Sequence, residues 1–331
     1  MMTLYDKRHH ARNTKLPSPE IDSFALSLSE GDLRSFIRGC DSLARGREDS
    51  AYIQFKKTVR SYPECWDAWF MTGIIDLANG RAELARQAFL RILSLDKPYY
   101  GLWIIRFLPK FRPLANLYDE FTFHVMPCTP DIAAILARLY LIENKVREAK
   151  KIIHPAFREF FTSPSVQAVW AQTMIMDGAS HVVIEELDRR IPYHRSATDT
   201  DLLVWYQIGK AFFESGDFRS GICHWEGLLH HAAGKNPRLI DHFRVVLAKT
   251  YEKKGFIGDS IEILSQVSDM FTPYEADVSV EFKRGELIEK VNAFRRQGIV
   301  RPLFCREAHE YKKRTSTPGF LEFDTPGGEC G

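Results

Sequence analysis

Small residues recur at a fixed spacing along this chain, and that spacing constrains its fold more than any other feature. Five pairs of like residues are each 34 positions apart, and they combine turn glycines with small and aromatic residues. Self-similarity at a period of this length indicates repeated supersecondary units that stack side by side. The pairs are Gly39 and Gly73, Gly46 and Gly80, Ala51 and Ala85, Phe55 and Phe89, and Ala137 and Ala171.

Each unit contains a first helix with a small residue near its middle, a glycine turn, and a second helix. Gly209, in WYQIGKAFFESGDFRSGICHW, shows the pattern: glycine in a helix interior costs about 1 kcal/mol relative to alanine, so a neighbouring helix must approach closely there. Gly216 and its equivalents are predicted to end the first helix in a left-handed conformation. The residues predicted to pack the repeats are Gly39, Ala51, Phe55, Trp69, Gly73, Ala85, Phe89, Ala137, Tyr140, Ala149, Trp205, Gly209, Gly221, Trp225, Ala248 and Tyr251.

Taken together, these positions resemble the tetratricopeptide repeat (TPR) family over roughly residues 32 to 272. Asp76 departs from the family pattern, since an aromatic residue is expected there, and Gly221 stands where alanine is usual. The resemblance implies an all-α fold, a right-handed superhelical solenoid of stacked antiparallel helical hairpins.

The same reading divides the chain into an array and its flanks. We expect a flexible segment over 1–19, the TPR-like array over 20–275, capping helices over 276–310 and a disordered tail over 311–331. Pro109, Pro113 and Pro127 interrupt any long helix, so an irregular unit is predicted near 100–128, and an exposed apolar edge there would permit self-association. In the tail, Thr317 and Thr325 each precede proline and are possible phosphorylation sites.

In the family, the first helices line a concave groove that holds a peptide or helix of a protein partner. Arg138, Lys210 and Lys249 each follow the small residue of their unit, which predicts cations in that groove and a partner with an acidic segment. The expected partner-binding residues are Phe70, Ile74, Arg138, Tyr206, Lys210, Phe213 and Lys249. The chain is therefore predicted to act as a non-catalytic interaction scaffold or adaptor.

Composition and motifs narrow the remaining function classes. The net charge is only +2, the six cysteines form no CxxC pair, and no phosphate-binding, dinucleotide-binding or hydrolase motif is present. We expect no catalysis, no cofactor and no metal, and an intracellular protein of the cytoplasm or nucleus. The apolar run GLWIIRFL is far shorter than the roughly 20 residues that span a bilayer, so no membrane span is predicted.

Two alternatives remain open. PECWDAW at 63–69 and EIDSFALSL at 20–28 are similar to segments of the TPR scaffold subunits of the anaphase-promoting complex, which suggests a subunit of a large assembly. Residues 283–314 are basic and suggest association with RNA or DNA. Solvated capping helices have the same composition and no base-reading module is visible, so nucleic acid is the less favoured partner.

Overall fold

The computed structural model of the chain describes residues 34–118, 121–191, 197–232, 236–268, 271 and 280–297. The described residues fall into two compact units, one within 1–215 and the other within 216–331. The predicted flexible segment at 1–19, the tail at 311–331 and the residues Thr317 and Thr325 lie outside the described ranges.

The first unit is a stack of antiparallel helical hairpins, as the repeat predicts. Each second helix packs against the first helix of the same hairpin, and successive hairpins pack through α2 on α3, α4 on α6, and α7 on α8. A tenth helix then packs on α8 and α9, and α9 continues into a π-helical turn, Ile184–Asp188. The helices of the hairpins are α1 Arg34–Ala44, α2 Glu48–Ser61, α3 Trp66–Ala78, α4 Ala82–Leu93, α6 Thr129–Ile142, α7 Val146–Glu159, α8 Pro164–Met176 and α9 Ser180–Val183, followed by α10 Asp199–Glu214.

The close approach of paired helices is confirmed at the two glycines that the sequence singles out. A methyl group at Gly39 would lie 2.6 Å from Cε1 of Phe55, and one at Gly73 would lie 2.7 Å from Cε1 of Phe89. The next hairpins place alanine against a smaller partner at the same spacing, Ala137 with Ile153 and Ala171 with Leu187, and all four are fully buried or nearly so. The repeat therefore keeps the summed side-chain volume constant while exchanging glycine and phenylalanine for alanine and an aliphatic residue.

Most of the residues predicted to pack the repeats are buried. Trp69 and Tyr140 are half-buried, and the others among the sixteen are buried. Gly209 lies in α10 of the first unit, whereas Gly221 and Trp225 lie in the second unit, so the hairpin expected between them stays a prediction.

The turns between helices use the left-handed conformation that the glycines predict. In each repeat the residue seven positions after the small residue of the first helix has a positive φ, from 57° to 88°. Five of the six are glycines, and the sixth is Asn144, which sequence reasoning missed because asparagine also tolerates this conformation. The six are Gly46, Gly80, Asn144, Gly178, Gly216 and Gly255.

Residues 100–128 form an irregular segment, as predicted, but it is not a distorted helical hairpin. It consists of a six-residue helix, α5 Leu102–Phe107, and a two-stranded antiparallel sheet, β1 Leu114–Tyr118 with β2 Phe121–His124. Pro109 follows α5 and Pro113 precedes β1, so the backbone N–H donors that a longer helix would need are missing there. The fold is thus helical with one small sheet among the described residues.

Asp76 is buried in α3, where the family pattern has an aromatic residue. Its Oδ1 accepts a hydrogen bond from Nε of Arg81 at 2.7 Å, and the Arg81 guanidinium lies over the ring of Tyr52, 4.7 Å from the centroid. Burial and a hydrogen bond to Asp76 raise the pKa of Tyr52 to about 12. A polar network therefore replaces the aromatic contact between the first two hairpins.

The second unit contains α11 Phe218–His231, α12 Pro237–Lys254, α13 Ile257–Ser265 and α14 Val280–Arg296. Helices α12 and α13 pair as a hairpin, and α14 packs on α13. Val280 and Leu287 of α14 belong to one buried apolar cluster, and Val291 packs against it. That α14 caps the array stays a prediction. No helix in the described ranges is long and apolar enough to cross a membrane.

The contact between Gly73 and Phe89 gives a first test. Substitution G73A should lower the free energy of unfolding by about 1–3 kcal/mol, because the added methyl group meets the Phe89 ring. Adding F89L should recover most of the loss, since that pair imitates Ala171 with Leu187. Urea unfolding of the single and double variants measures both effects; G285A, which meets no atom within 4 Å, is the control. Equal loss in the single and double variants would contradict the size-matching explanation.

A second test uses the left-handed turn at Asn144, which has φ of 57° and an exposed side chain. Substitution N144A should destabilise the first unit by about 1 kcal/mol, because a left-handed backbone places Cβ against the next carbonyl oxygen. Substitution N144G should be as stable as the wild type or slightly more so. If urea unfolding ranks the alanine variant above the glycine variant, the turn does not adopt this conformation in solution.

Candidate functional site

The segment from Tyr99 to Thr129, here called the insert, leaves and re-enters the helical stack at one point. Tyr99 N donates to Oγ1 of Thr129 at 2.6 Å, and Thr129 N donates to the carbonyl of Tyr99 at 3.0 Å. Gly101 N donates to the carbonyl of Pro127 at 2.6 Å, and a methyl group at Gly101 would lie 2.5 Å from Cβ of Pro127. The two ends of the insert are therefore pinned together, and position 101 requires glycine.

The insert packs on the first helices, the helices on which the TPR resemblance predicts a ligand. Helix α5 packs on α1 and α3, and strand β1 packs on α6 and α8, so the insert reaches the first helix of four hairpins. The ring centroids of Phe36 and Phe107 are 6.4 Å apart, and those of Phe70 and Tyr99 are 6.3 Å apart. We call the covered sides of α1 and α3, defined by Phe36, Cys40, Phe70 and Ile74, the first-helix face.

Asp67 of α3 attaches α5 to this face. Its Oδ1 accepts a hydrogen bond from the backbone N–H of Ile104 at 3.0 Å. The backbone N–H of Trp103 also donates to the Asp67 carboxylate. These donors belong to the first turn of α5, where a helix has no internal acceptors for them, so Asp67 caps α5 from a different helix. Burial raises the pKa of Asp67 to about 7, although the hydrogen bonds to the carboxylate oppose that rise.

Asp131 of α6 holds the other end of the insert in the same way. Its Oδ2 accepts from the backbone N–H of Met126 at 2.7 Å, and its Oδ1 accepts from the hydroxyl of Ser165 in α8 at 2.6 Å. Burial also raises the pKa of Asp131. Asp67, Asp131 and Ser165 each stand six residues before the small residue of their unit. One repeat position therefore supplies both anchors of the insert and the serine that donates to the second anchor.

The sequence analysis did not identify these residues, although the matching positions of the two aspartates could have indicated them. An aspartate at the same offset in two first helices is unusual for a position that faces a neighbouring element, because an unpaired buried carboxylate is costly. What the sequence did not contain was the position of their donors, which belong to the backbone of an irregular segment.

The predicted groove residues separate into buried and accessible ones. Phe70 and Ile74 are fully buried and Tyr206 is only 4% exposed, so these three contribute packing rather than accessible surface. Arg138, Lys210 and Phe213 are half-buried, and Lys249 is exposed. Arg138, Lys210 and Phe213 lie in the first unit, and Lys249 lies in the second.

Three of the five described cations of α14 contact α12 or the end of α13, whereas Arg295 and Arg296 are exposed. Lys283 and Lys290 contact the carboxylate of Glu252 in α12 at 2.9 and 3.1 Å, and Arg284 donates to the carbonyl of Leu264 at 2.7 Å and to that of Val267. These cations hold α14 against α12 and α13, which favours a packing role over phosphate contact for them.

Among the described residues, no cluster of three or more His, Cys, Asp or Glu side chains could hold a metal ion. Burial raises the pKa of the Cys65 thiol to about 12 and raises the pKa of the Cys40 and Cys128 thiols as well. Because the thiolate is the nucleophile, these raised pKa values disfavour reaction at the three thiols near neutral pH.

The raised pKa of Asp67 predicts a specific pH dependence of stability. The acid is about 3 units weaker in the folded chain than its usual value, so its stabilising protonated form is lost as the pH rises from about 4 through 7. The free energy of unfolding of the wild-type chain should therefore fall by on the order of 2–4 kcal/mol between pH 5 and pH 8. Substitution D67N, which keeps an acceptor oxygen but has no charge, should remove this fall. Urea unfolding at both pH values measures it, with D41N at an exposed position as the control. An unchanged difference in the D67N variant would show that Asp67 does not titrate in this range.

Comparison with known proteins does not assign the chain to a family. No protein-family model matches the chain, and no curated protein matches it. Among solved structures, the hetero-tetramer Cut9–Hcn1 of the APC/C is similar, with 12% identity and a TM-score of 0.48 over 78% of this chain and 42% of the matched one. The chain thus spans less than half the length of that relative. The described residues themselves have the TPR-like hairpin fold that the sequence predicts.

Proposed function

We propose that this chain is a non-catalytic scaffold that binds a peptide or helix of a protein partner. The observation that carries the proposal is the change in exposure at one repeat position, the residue directly after the small one. Cys40 and Ile74 are 2% and 0% exposed at this position, whereas Lys210 is half-buried and Lys249 is exposed. At this position the repeat thus changes from buried residues in α1 and α3 to accessible cations in α10 and α12.

The chemistry of these positions indicates the kind of partner. Lys210 and Phe213 lie three residues apart on α10, so they share one side of the helix and offer a cation beside an aromatic ring. Arg138 of α6 adds a second cation in the first unit, and Lys249 offers one on α12 in the second. An acidic segment with apolar residues is the partner that such positions would select, because complementary charge sets specificity and association rate.

Charge reversal tests the proposal in each unit separately. The double variant R138E/K210E and the single variant K249E should each reduce recovery of a discrete set of proteins that the tagged intact chain purifies, as quantified by mass spectrometry. Loss of one charge contact at the rim of an interface corresponds to about 1 kcal/mol, or roughly a fivefold loss of affinity.

Matched controls make the same change in net charge on second helices, away from the proposed binding residues. Lys57, Arg60 and Lys151 are exposed on the second helices α2 and α7. The double variant K57E/R60E matches R138E/K210E in charge, the single variant K151E matches K249E, and both controls should leave recovery unchanged. Equal loss in the controls would reduce the effect to bulk charge. Recovery of nucleic acid in place of protein would support the alternative that the basic segment at 283–314 suggests, and recovery of a stable multi-subunit complex would support the assembly-subunit alternative.

A further inference from the structure

Helix α5 has the features of a ligand that the chain supplies to itself. It has six residues, too few for a helix to persist in water without tertiary contacts. It packs on the two first helices α1 and α3, and its own residues provide no side-chain cap at its start. Its fixed points are the buried side chains of Ile104 and Leu108 and the cap that Asp67 provides.

The outer side of α5 is less well held. Arg106 is exposed, and its guanidinium lies 5.5 and 5.6 Å from the ring centroids of Trp103 and Phe107. Those two rings stack on each other with centroids 5.7 Å apart and are only half-buried. Phe107 also contacts Phe36 of the first-helix face. The helix therefore has one side fixed on that face, and Trp103 and Arg106 on its outer side interact mainly with residues of α5 itself.

The face beneath α5 is made of side chains from α1 and α3. Phe36 contacts the ring of Phe107 and Phe70 contacts the ring of Tyr99, while Cys40 and Ile74 are buried beside them. Asp67 offers a buried acceptor for backbone N–H groups. The same first-helix positions are those at which the TPR resemblance predicts a ligand site in the other repeats. The insert itself is pinned at its base, between Tyr99 and Thr129, so α5 can leave the face while the stack of helices remains joined.

We propose that the first-helix face of α1 and α3 is a binding site for a short apolar helix of a partner protein, and that α5 occupies this site until such a helix displaces it. The partner helix would have apolar residues at i and i+4, as Ile104 and Leu108 do, and would direct the free N–H groups of its first turn at Asp67. The proposal rests on the interaction-scaffold function, and it adds a second site and a competition within the chain.

A peptide of the chain's own sequence is the probe. In a variant with Leu102–Phe107 replaced by Gly-Ser-Gly-Ser-Gly-Ser, the site is empty while the base of the insert is intact. A labelled peptide with the sequence from Tyr99 to Pro113 should bind this variant with a micromolar Kd by fluorescence anisotropy. It should bind the wild-type chain at least tenfold more weakly, because the tethered α5 competes at a high effective concentration.

Variants at Asp67 separate capping from general apolar adhesion. In the Gly-Ser background, D67A should weaken peptide binding about tenfold, whereas D67N should retain it through its carbonyl oxygen. A peptide with the same composition in scrambled order should not bind. Absence of peptide binding to a folded Gly-Ser variant, or equal binding of the scrambled peptide, would overturn the proposal.

Hydrogen exchange in the wild-type chain decides the matter even if the Gly-Ser variant does not fold. The amides of α5 should exchange at least a hundredfold faster than those of α3 and α4, after correction for intrinsic rates, because α5 leaves the face without unfolding of the stack. Exchange of α5 together with α3 and α4 would show that it is an integral part of the core and would overturn the proposal. Neither measurement involves Arg138, Lys210 or Lys249, so failure here is distinguishable from failure of the proposed function.

Discussion

The distance between paired helices is the constraint on which the rest of the structure depends. Where the first helix has glycine, as at Gly39 and Gly73, the ring of a phenylalanine occupies the volume that a side chain would fill. Where it has alanine, the partner residue is smaller. Because the summed volume of the two facing side chains stays constant, hairpins of different sequence can stack on their neighbours in the same way.

The repeat spacing also explains how the insert is anchored to the array near both of its ends. The insert has little regular structure of its own, but Asp67 and Asp131 meet its backbone from one repeat position in successive first helices. A buried carboxylate is unfavourable unless hydrogen bonds compensate it, and the first turn of α5 and the backbone at Met126 have the unpaired N–H groups that do so. The array and the insert therefore each satisfy polar groups that the other leaves unpaired.

The parts of the fold that follow from local spacing could be predicted, and the parts that depend on a distant segment could not. The positions of Gly73 and Phe89 and the left-handed turn at Gly80 follow from helix periodicity and turn chemistry. The burial of Phe70 and Ile74 does not, since it is α5 and its flanking residues, about thirty positions away, that cover the face to which they belong. Prolines indicated that the segment after α4 was not a long helix, but they contained no information about where it would lie.

The pinned base of the insert has a consequence for how the chain could change over time. Since α4 packs directly on α6, the stack is continuous across the point where the insert departs, and the segment between Gly101 and Pro127 is a closed excursion from it. Closing a loop costs free energy that grows only with the logarithm of its length, so such an excursion can lengthen, shorten or exchange its contents at small cost. The helical stack and the surface that covers it are thus free to diverge at different rates.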